Sequence, residues 1–212
     1  MRHSDRDSTD ATLLVVVRHG RTDWNATGRF LGRTDRPLDE EGHRQARGLV
    51  PWRGVFDAVY ASPLARAWQT AEVLAGEGVR REPALAELDH GELEGLRAEE
   101  AFARYPAFFE AWREAPESVI VPGGGALAAA RDEALAALQS MVHRHPGQRI
   151  AVVSHQLVLA SVLATLEGAP LARWADYKLP NVGCAALLGA PGGALRVARR
   201  TLPVGSRLPP IV

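Results

Sequence analysis

Cysteine is nearly absent. Cys184 is the only one in 212 residues, so no intramolecular disulfide can form, and a reducing compartment, the cytoplasm, is expected. Lysine is equally rare: Lys178 stands alone and the other 24 of the 25 basic residues are arginine. One lysine leaves no Walker A phosphate loop, and Gly123-Gly124-Gly125 lacks the dinucleotide-binding spacing. Net charge is missing too. The 25 basic residues face 25 acidic ones, which removes the basic excess that a nucleic-acid partner requires. No apolar run reaches membrane-spanning length, and the first ten residues lack the apolar stretch of a secretory signal. No nucleic acid, membrane or leader is therefore expected. His143 and His145 sit at the end of a helical pattern, where a cation suits the dipole, and no metal site is expected there.

The composition itself is that of an ordinary folded protein, 46% hydrophobic and 24% charged, and the length suits one domain. Residues 1–11 read as a flexible tail and residues 12–212 as a single domain. Residues 12–17 form an unbroken apolar run, as in a strand buried on both faces, and end at Arg18-His19-Gly20. Residues 39–50 predict a helix with Asp39 as N-cap, and 55–60 a strand. Ser62-Pro63 predicts a helix start, Ser62 capping and Pro63 in the first turn, running to Leu74. Residues 79–85 read as a weak extended segment. Two short helices, 97–105 and 107–115, flank Pro106, and 126–145 is a long alanine-rich helix. A strand at 149–153 ends at Ser154-His155, a helix covers 156–166, and 184–188 with 195–199 predict a hairpin. The Pro-rich end, 201–212, reads as extended. Strands alternating with helices imply an α/β fold with a largely parallel sheet, in which ligands sit beyond the carboxyl ends of the strands. His19 and His155 both fall just past strand ends.

Taken singly, these polar residues have ordinary explanations. Arg18-His19 could be a polar strand exit, His155 a satisfied core histidine, and Glu87 a solvated carboxylate. Arg66 is placed in a first helical turn, where a cation is unfavourable unless an anion is near. Their order along the chain says more. Arg18-His19-Gly20-Arg21-Thr22-Asp23-Trp24-Asn25 resembles the signature of the histidine phosphatase superfamily, the phosphoglycerate-mutase-like fold. Asp35-Arg36-Pro37-Leu38, Gly42-His43-Arg44-Gln45-Ala46 and Ser62-Pro63-Leu64-Ala65-Arg66-Ala67 match its next segments. Glu87-Leu88-Asp89-His90-Gly91-Glu92 and Val152-Val153-Ser154-His155 match its third and fourth motifs, in family order.

The resemblance implies a three-layer α/β/α fold with a mostly parallel central sheet, a terminal hairpin and a small helical cap insertion at about 96–122. It also implies a metal-independent phosphomonoester hydrolase, without cofactor, acting on a small phosphorylated metabolite. His19 would be the nucleophile, neutral at the attacking nitrogen with the other nitrogen held by a backbone carbonyl. Arg18, Arg66 and His155 would surround the phosphoryl oxygens as three cations, assisted by Asn25 and Thr22. Glu87 would be the acid, in a partly desolvated position. Gln156, Arg21, Leu31 and Gly32 are the candidate substrate contacts, and His90 faces the pocket or packs structurally. In the cap, Phe102, Tyr105, Phe108, Phe109 and Trp112 fall on one helical side, with core packing expected for most. A homodimer is one assembly the resemblance allows.

Two alternatives within the family are a phosphoglycerate mutase and a member that binds phosphate without catalysis. The mutase pattern has a hydroxyl residue where Leu31 stands and an arginine where Leu88 stands, and the cap here has no lysine. A non-catalytic role is disfavoured because all five catalytic candidates are present. The phosphatase pattern is itself altered at Gln156, usually glycine, at Leu93, usually tryptophan, and at Gly124-Gly125-Ala126, usually Gly-Glu-Ser.

Overall fold

Strand β1 (Thr12–Arg18) has the sequence Thr-Leu-Leu-Val-Val-Val-Arg, and all of it except Arg18 is buried. A strand apolar at every position has no face to give to water, so it belongs inside a sheet covered on both sides. The computed structural model, which describes residues 11–76 and 78–211, places it there. The sheet has six strands in the order β3-β2-β4-β1-β5-β6. Its other members are β2 (Ala58–Ala61), β3 (Arg80–Arg81), β4 (Arg149–Ser154), β5 (Cys184–Gly189) and β6 (Leu195–Arg199). The first four strands in that order are parallel, and β5 and β6 add the antiparallel hairpin.

Alternate β1 residues feed two cores. Leu14 and Val16 pack with Leu138 and Met141 of the long helix α6 (Leu127–Arg144) and Leu159 and Val162 of α7 (Gln156–Leu166). Leu13, Val15 and Val17 pack with Ala67, Ala71 and Leu74 of α3 (Ala65–Leu74) on the opposite face. Helices on both faces make the three-layer α/β/α arrangement. A third, smaller core of Leu88, Leu93, Ala101, Val121, Leu127 and Leu171 carries the cap, whose helices are α4 (Ala98–Arg104) and α5 (Pro106–Glu114). Two short helices, α1 (Asp23–Ala26) and α2 (Glu40–Arg47), follow β1. No single helix among the described residues is long and apolar enough to cross a membrane.

Several boundaries differ from expectation. The helix capped by Asp39 stops at Arg47, and a separate turn at Val50–Trp52 carries Pro51. Ser62 does not cap α3: Leu64 holds the N-cap position and Asp35 Oδ1 accepts the Ala65 N–H at 2.7 Å. Pro106 starts α5 rather than separating two helices, as its fixed φ and missing N–H suit a first turn. The segment 79–85 is only two residues of strand, then a turn at Pro83–Leu85. The expected N-terminal tail, apart from Ala11, lies outside the described residues.

Candidate active site

His19 leaves the sheet at the carboxyl end of β1, with its N–H donating to Ser154 O at 3.0 Å at the end of β4. Its side chain is 3% exposed, and Nδ1 lies 2.7 Å from the Gly20 carbonyl. A carbonyl can only accept, so Nδ1 carries the proton and Nε2 keeps its lone pair. The loop survives this tight turn because Gly20 and Gly42 let it press on α2: a Cβ on Gly20 would lie 2.7 Å from Gly42 O. Residues 178–183 clamp the same point from the other side. Val182 N–H donates to the Arg18 and His19 carbonyls at 3.0 and 3.3 Å, and Asn181 Nδ2 to His19 O at 3.1 Å. Val182 sits at φ 54°, in the left-handed region that a β-branched side chain resists, so this clamp holds local strain. Sequence reading passed over this loop, where only Pro180-Asn181 signals irregular chain.

Arg66 is wholly buried, and its two terminal nitrogens donate to Gly32 O at 2.7 Å and Thr34 O at 3.1 Å. These bonds fix the guanidinium, while its Nε has no partner among the described residues. Arg18 is similar: NH1 donates to Leu179 O at 2.9 Å and Nε is unpartnered. Burial draws both guanidiniums down to about 10, with Glu87 pulling the other way, so both stay charged near neutrality. His155 is also wholly buried, its ring centroid 5.1 Å from that of His19. Its Nε2 lies 2.7 Å from Ser62 Oγ, and its Nδ1 is unpartnered. Burial, then Arg66, His19 and Arg18, hold His155 well below the ordinary histidine value. Burial, Arg66 and Arg18 do the same to His19. The expected three cations are therefore two in the phosphate-free site, with His155 neutral.

Glu87 is 4% exposed, as the acid role requires. Its Oε1 accepts the N–H groups of Leu88 and Val158 at 3.0 and 3.3 Å, and Oε2 accepts that of Leu157 at 3.2 Å. Two of these donors are in the first turn of α7. Ser154 Oγ donates to Leu85 O at 2.7 Å and ties the Glu87 segment to the end of β4.

Arg18, His19 and Glu87 line a cavity of about 410 Å³, with Asn25, Leu31 and Gln156 also on its wall. Arg66 and His155, both wholly buried, are not part of its wall. Three expected contacts, Arg21, Thr22 and Gly32, are elsewhere. Arg21 turns away to an ion pair with Asp39 at 2.8 Å, because that carboxylate caps α2 beside it. Thr22 does not line the cavity: its Oγ1 accepts the Asn25 N–H at 3.2 Å as the N-cap of α1, and Asn25 Oδ1 returns the bond to Thr22 N at 3.2 Å. Gly32 serves through its carbonyl to Arg66, and a Cβ there would lie 2.5 Å from Leu88 O. His90 faces the cavity at 7% exposure. Tyr105, Phe108, Phe109 and Trp112 pack against the third core, as expected for most of the cap aromatics, and Phe102, Phe108, Phe109 and Trp112 also line the cavity. Among the described residues no group of three or more His, Cys, Asp or Glu side chains is placed to hold a metal ion.

Residues 14–200 match the family described as the histidine phosphatase superfamily (branch 1). The chain is 33% identical over 173 residues to phosphoserine phosphatase 1 of Hydrogenobacter thermophilus, covering 79% of this chain and 82% of that protein. It is 34% identical over 162 residues to a metal-independent phosphoserine phosphatase of Arabidopsis thaliana, covering 73% and 68%. Relatives named as phosphoglycerate mutases or mutase-like also match. Among solved structures, Bacillus stearothermophilus YhfR superposes with a TM-score of 0.82 at 28% identity, over 92% of this chain and all of that one.

Proposed function

The chain belongs to the histidine phosphatase superfamily, and from that premise we propose that it hydrolyses phosphomonoesters of small metabolites, without a metal, through a phosphohistidine on His19. The observation that carries this is the tautomer lock: Gly20 O accepts the Nδ1–H bond and leaves the Nε2 lone pair free, with the charges of Arg66 and Arg18 acting on the ring. His19 Nε2 attacks phosphorus, the bond to the leaving oxygen breaks, and Glu87 gives that oxygen its proton. Glu87, now a carboxylate, takes a proton from water as the water oxygen attacks phosphorus and the N–P bond breaks. Inorganic phosphate leaves and the proton is back on Glu87. Arg18 and Arg66, each with an unpartnered Nε, stabilise the charge on the transferred group.

Ser62 sets the tautomer of His155. Its Oγ accepts the Leu64 N–H at 3.3 Å and, in our reading, donates its own proton to His155 Nε2, so that the imidazole proton is on Nδ1 and can go to a phosphoryl oxygen. Asn25 adds an amide N–H₂ from the cavity wall. Mutase action is disfavoured by Leu88, wholly buried where the mutase pattern has an arginine. The free, buried thiol of Cys184 is consistent with a cytoplasmic setting.

The test is phosphate release from p-nitrophenyl phosphate in excess chelator. Activity is expected to persist there and to fall by at least about 10³-fold in His19→Ala, since loss of a triad-type nucleophile costs that much or more. Strict dependence on added metal, or an active His19→Ala protein, overturns it.

A further inference from the structure

The floor and the walls of the cavity differ in chemistry. Arg18, His19 and Glu87 make a polar floor. The walls that face the rest of a substrate are aromatic: Phe30, Phe102, Phe108, Phe109, Trp112 and Trp174. Four of the chain's five phenylalanines are among them, and none of these four packs into the two sheet cores. The rings are already packed on one another. Phe102 and Phe109 meet edge-to-face at 4.4 Å, Phe108 and Phe109 at 5.0 Å, and Phe30 and Phe109 lie 5.9 Å apart. A panel locked in this way loses little side-chain freedom on binding. Phe102 is nonetheless 51% exposed, an apolar face that a ligand would cover.

Charge around the cavity is one-sided. Among the described residues Glu87 is the only carboxylate lining it, while Arg29 and Lys178 stand with Arg18 on the basic side. Lys178 Nζ lies 4.7 Å from the Trp174 ring centroid, so a cation already occupies that aromatic face. An ammonium on the substrate would meet these positive neighbours, and the one carboxylate beside them, Glu87, already accepts three N–H groups. One polar group interrupts the aromatic wall. His90 is buried edge-on against Phe30, ring centroids 5.7 Å apart, and neither of its ring nitrogens has a partner among the described residues. Buried imidazoles are normally hydrogen-bonded, so this one fits a ligand atom.

We infer that the site selects phosphomonoesters of bulky apolar alcohols, aromatic ones above all, discriminates against alcohols that carry an ammonium, and reads one hydrogen-bonding ring substituent through His90. This rests on the hydrolase reading of the floor and adds the substrate class.

Four esters of primary alcohols test it, since their leaving oxygens are chemically alike: 2-phenylethyl phosphate, ethyl phosphate, phosphoethanolamine and phosphoserine. Their kcat/KM values are expected to put 2-phenylethyl phosphate about 10- to 100-fold above ethyl phosphate, the range for burying an aromatic side chain. Phosphoethanolamine and phosphoserine should fall below ethyl phosphate. Trp112→Leu, a milder change than alanine, should narrow the phenylethyl-to-ethyl ratio. Of the ortho, meta and para ring-hydroxylated phenylethyl esters, at least one should gain about 2- to 10-fold, as one hydrogen bond allows, and His90→Phe should cancel that gain. Phosphoserine turned over as well as 2-phenylethyl phosphate overturns the selectivity and leaves the hydrolase reading standing. A ring-hydroxyl series without any gain overturns the role of His90. Release from none of the esters, p-nitrophenyl phosphate included, overturns the hydrolase reading and this inference with it.

Discussion

His155 is neutral in the phosphate-free site because burial, Arg66, His19 and Arg18 all oppose its proton. His19 and His90 are held low as well, each by burial first. The sign of the linkage follows. An unfolded histidine titrates near about 6.5, and these three titrate lower in the fold. Above about pH 6.5 both states leave the rings neutral; below it the unfolded chain takes up protons that the fold refuses, and stability is lost as pH falls. A bound tetrahedral dianion reverses the balance at His155 by offsetting the two guanidiniums. Sulfate, whose charge is constant over this range, is therefore expected to bind more tightly and to raise Tm more at about pH 5.5 than at about pH 8. Calorimetry in buffers of different ionisation enthalpy should show proton uptake, smaller in His155→Gln; pH-independent sulfate affinity would sink the idea. The site residues His19, Glu87, Arg66 and His155 were legible in the motifs, but their charge states were not. Ser62 reads locally as a helix cap, and only the fold reveals its partner, His155, 93 positions away.

Helix α2 takes no part in the chemistry, yet it sets the loop that follows β1. Its Gly42 is the contact point: a Cβ there would lie 2.0 Å from the Arg21 carbonyl, on backbone that cannot step aside cheaply. Gly42→Ala is expected to destabilise the protein by about 1–3 kcal/mol, the usual cost of overpacking. At about 2–4 °C per kcal/mol for a chain of this size, that is a visible drop in Tm. Because Arg21 is two residues from His19, kcat should fall as well, measured on protein still folded at the assay temperature. An unchanged Tm would mean that α2 does not press on the loop. Elements were legible where an apolar stretch is cleanly bounded by polar or turn residues: β1, the hairpin, and α7 at Gln156–Leu166. They blurred where tertiary contacts set the ends, as at α3, whose start is fixed by Asp35 from a distant loop. The 178–183 clamp was illegible because its work is done by backbone groups in irregular chain, which carry no periodicity.

At the scale of the whole molecule, 25 basic residues against 25 acidic ones leave no long-range field to steer an anion. The positive charge that meets the phosphoryl group is local, carried by the buried Arg18 and Arg66 with Arg29 and Lys178 on the cavity wall, where burial shields the first two from salt. Long-range steering and local capture make different predictions about salt. Steering weakens with ionic strength whatever the ion, because screening extends over about 8–10 Å at ordinary salt. A buried tetrahedral cradle responds to the shape of the ion. Raising NaCl from about 50 to 500 mM should therefore change kcat/KM for an aryl phosphate by less than about 3-fold, as expected for a neutral molecule without steering. Sodium sulfate at matched ionic strength should inhibit far more strongly, and competitively, since sulfate presents the oxygens that the two unpartnered Nε atoms and His155 Nδ1 are placed to meet. Equal loss in both salts would place the attraction in the surface field, and would contradict a neutral protein that concentrates its cationic function in two of its 24 arginines.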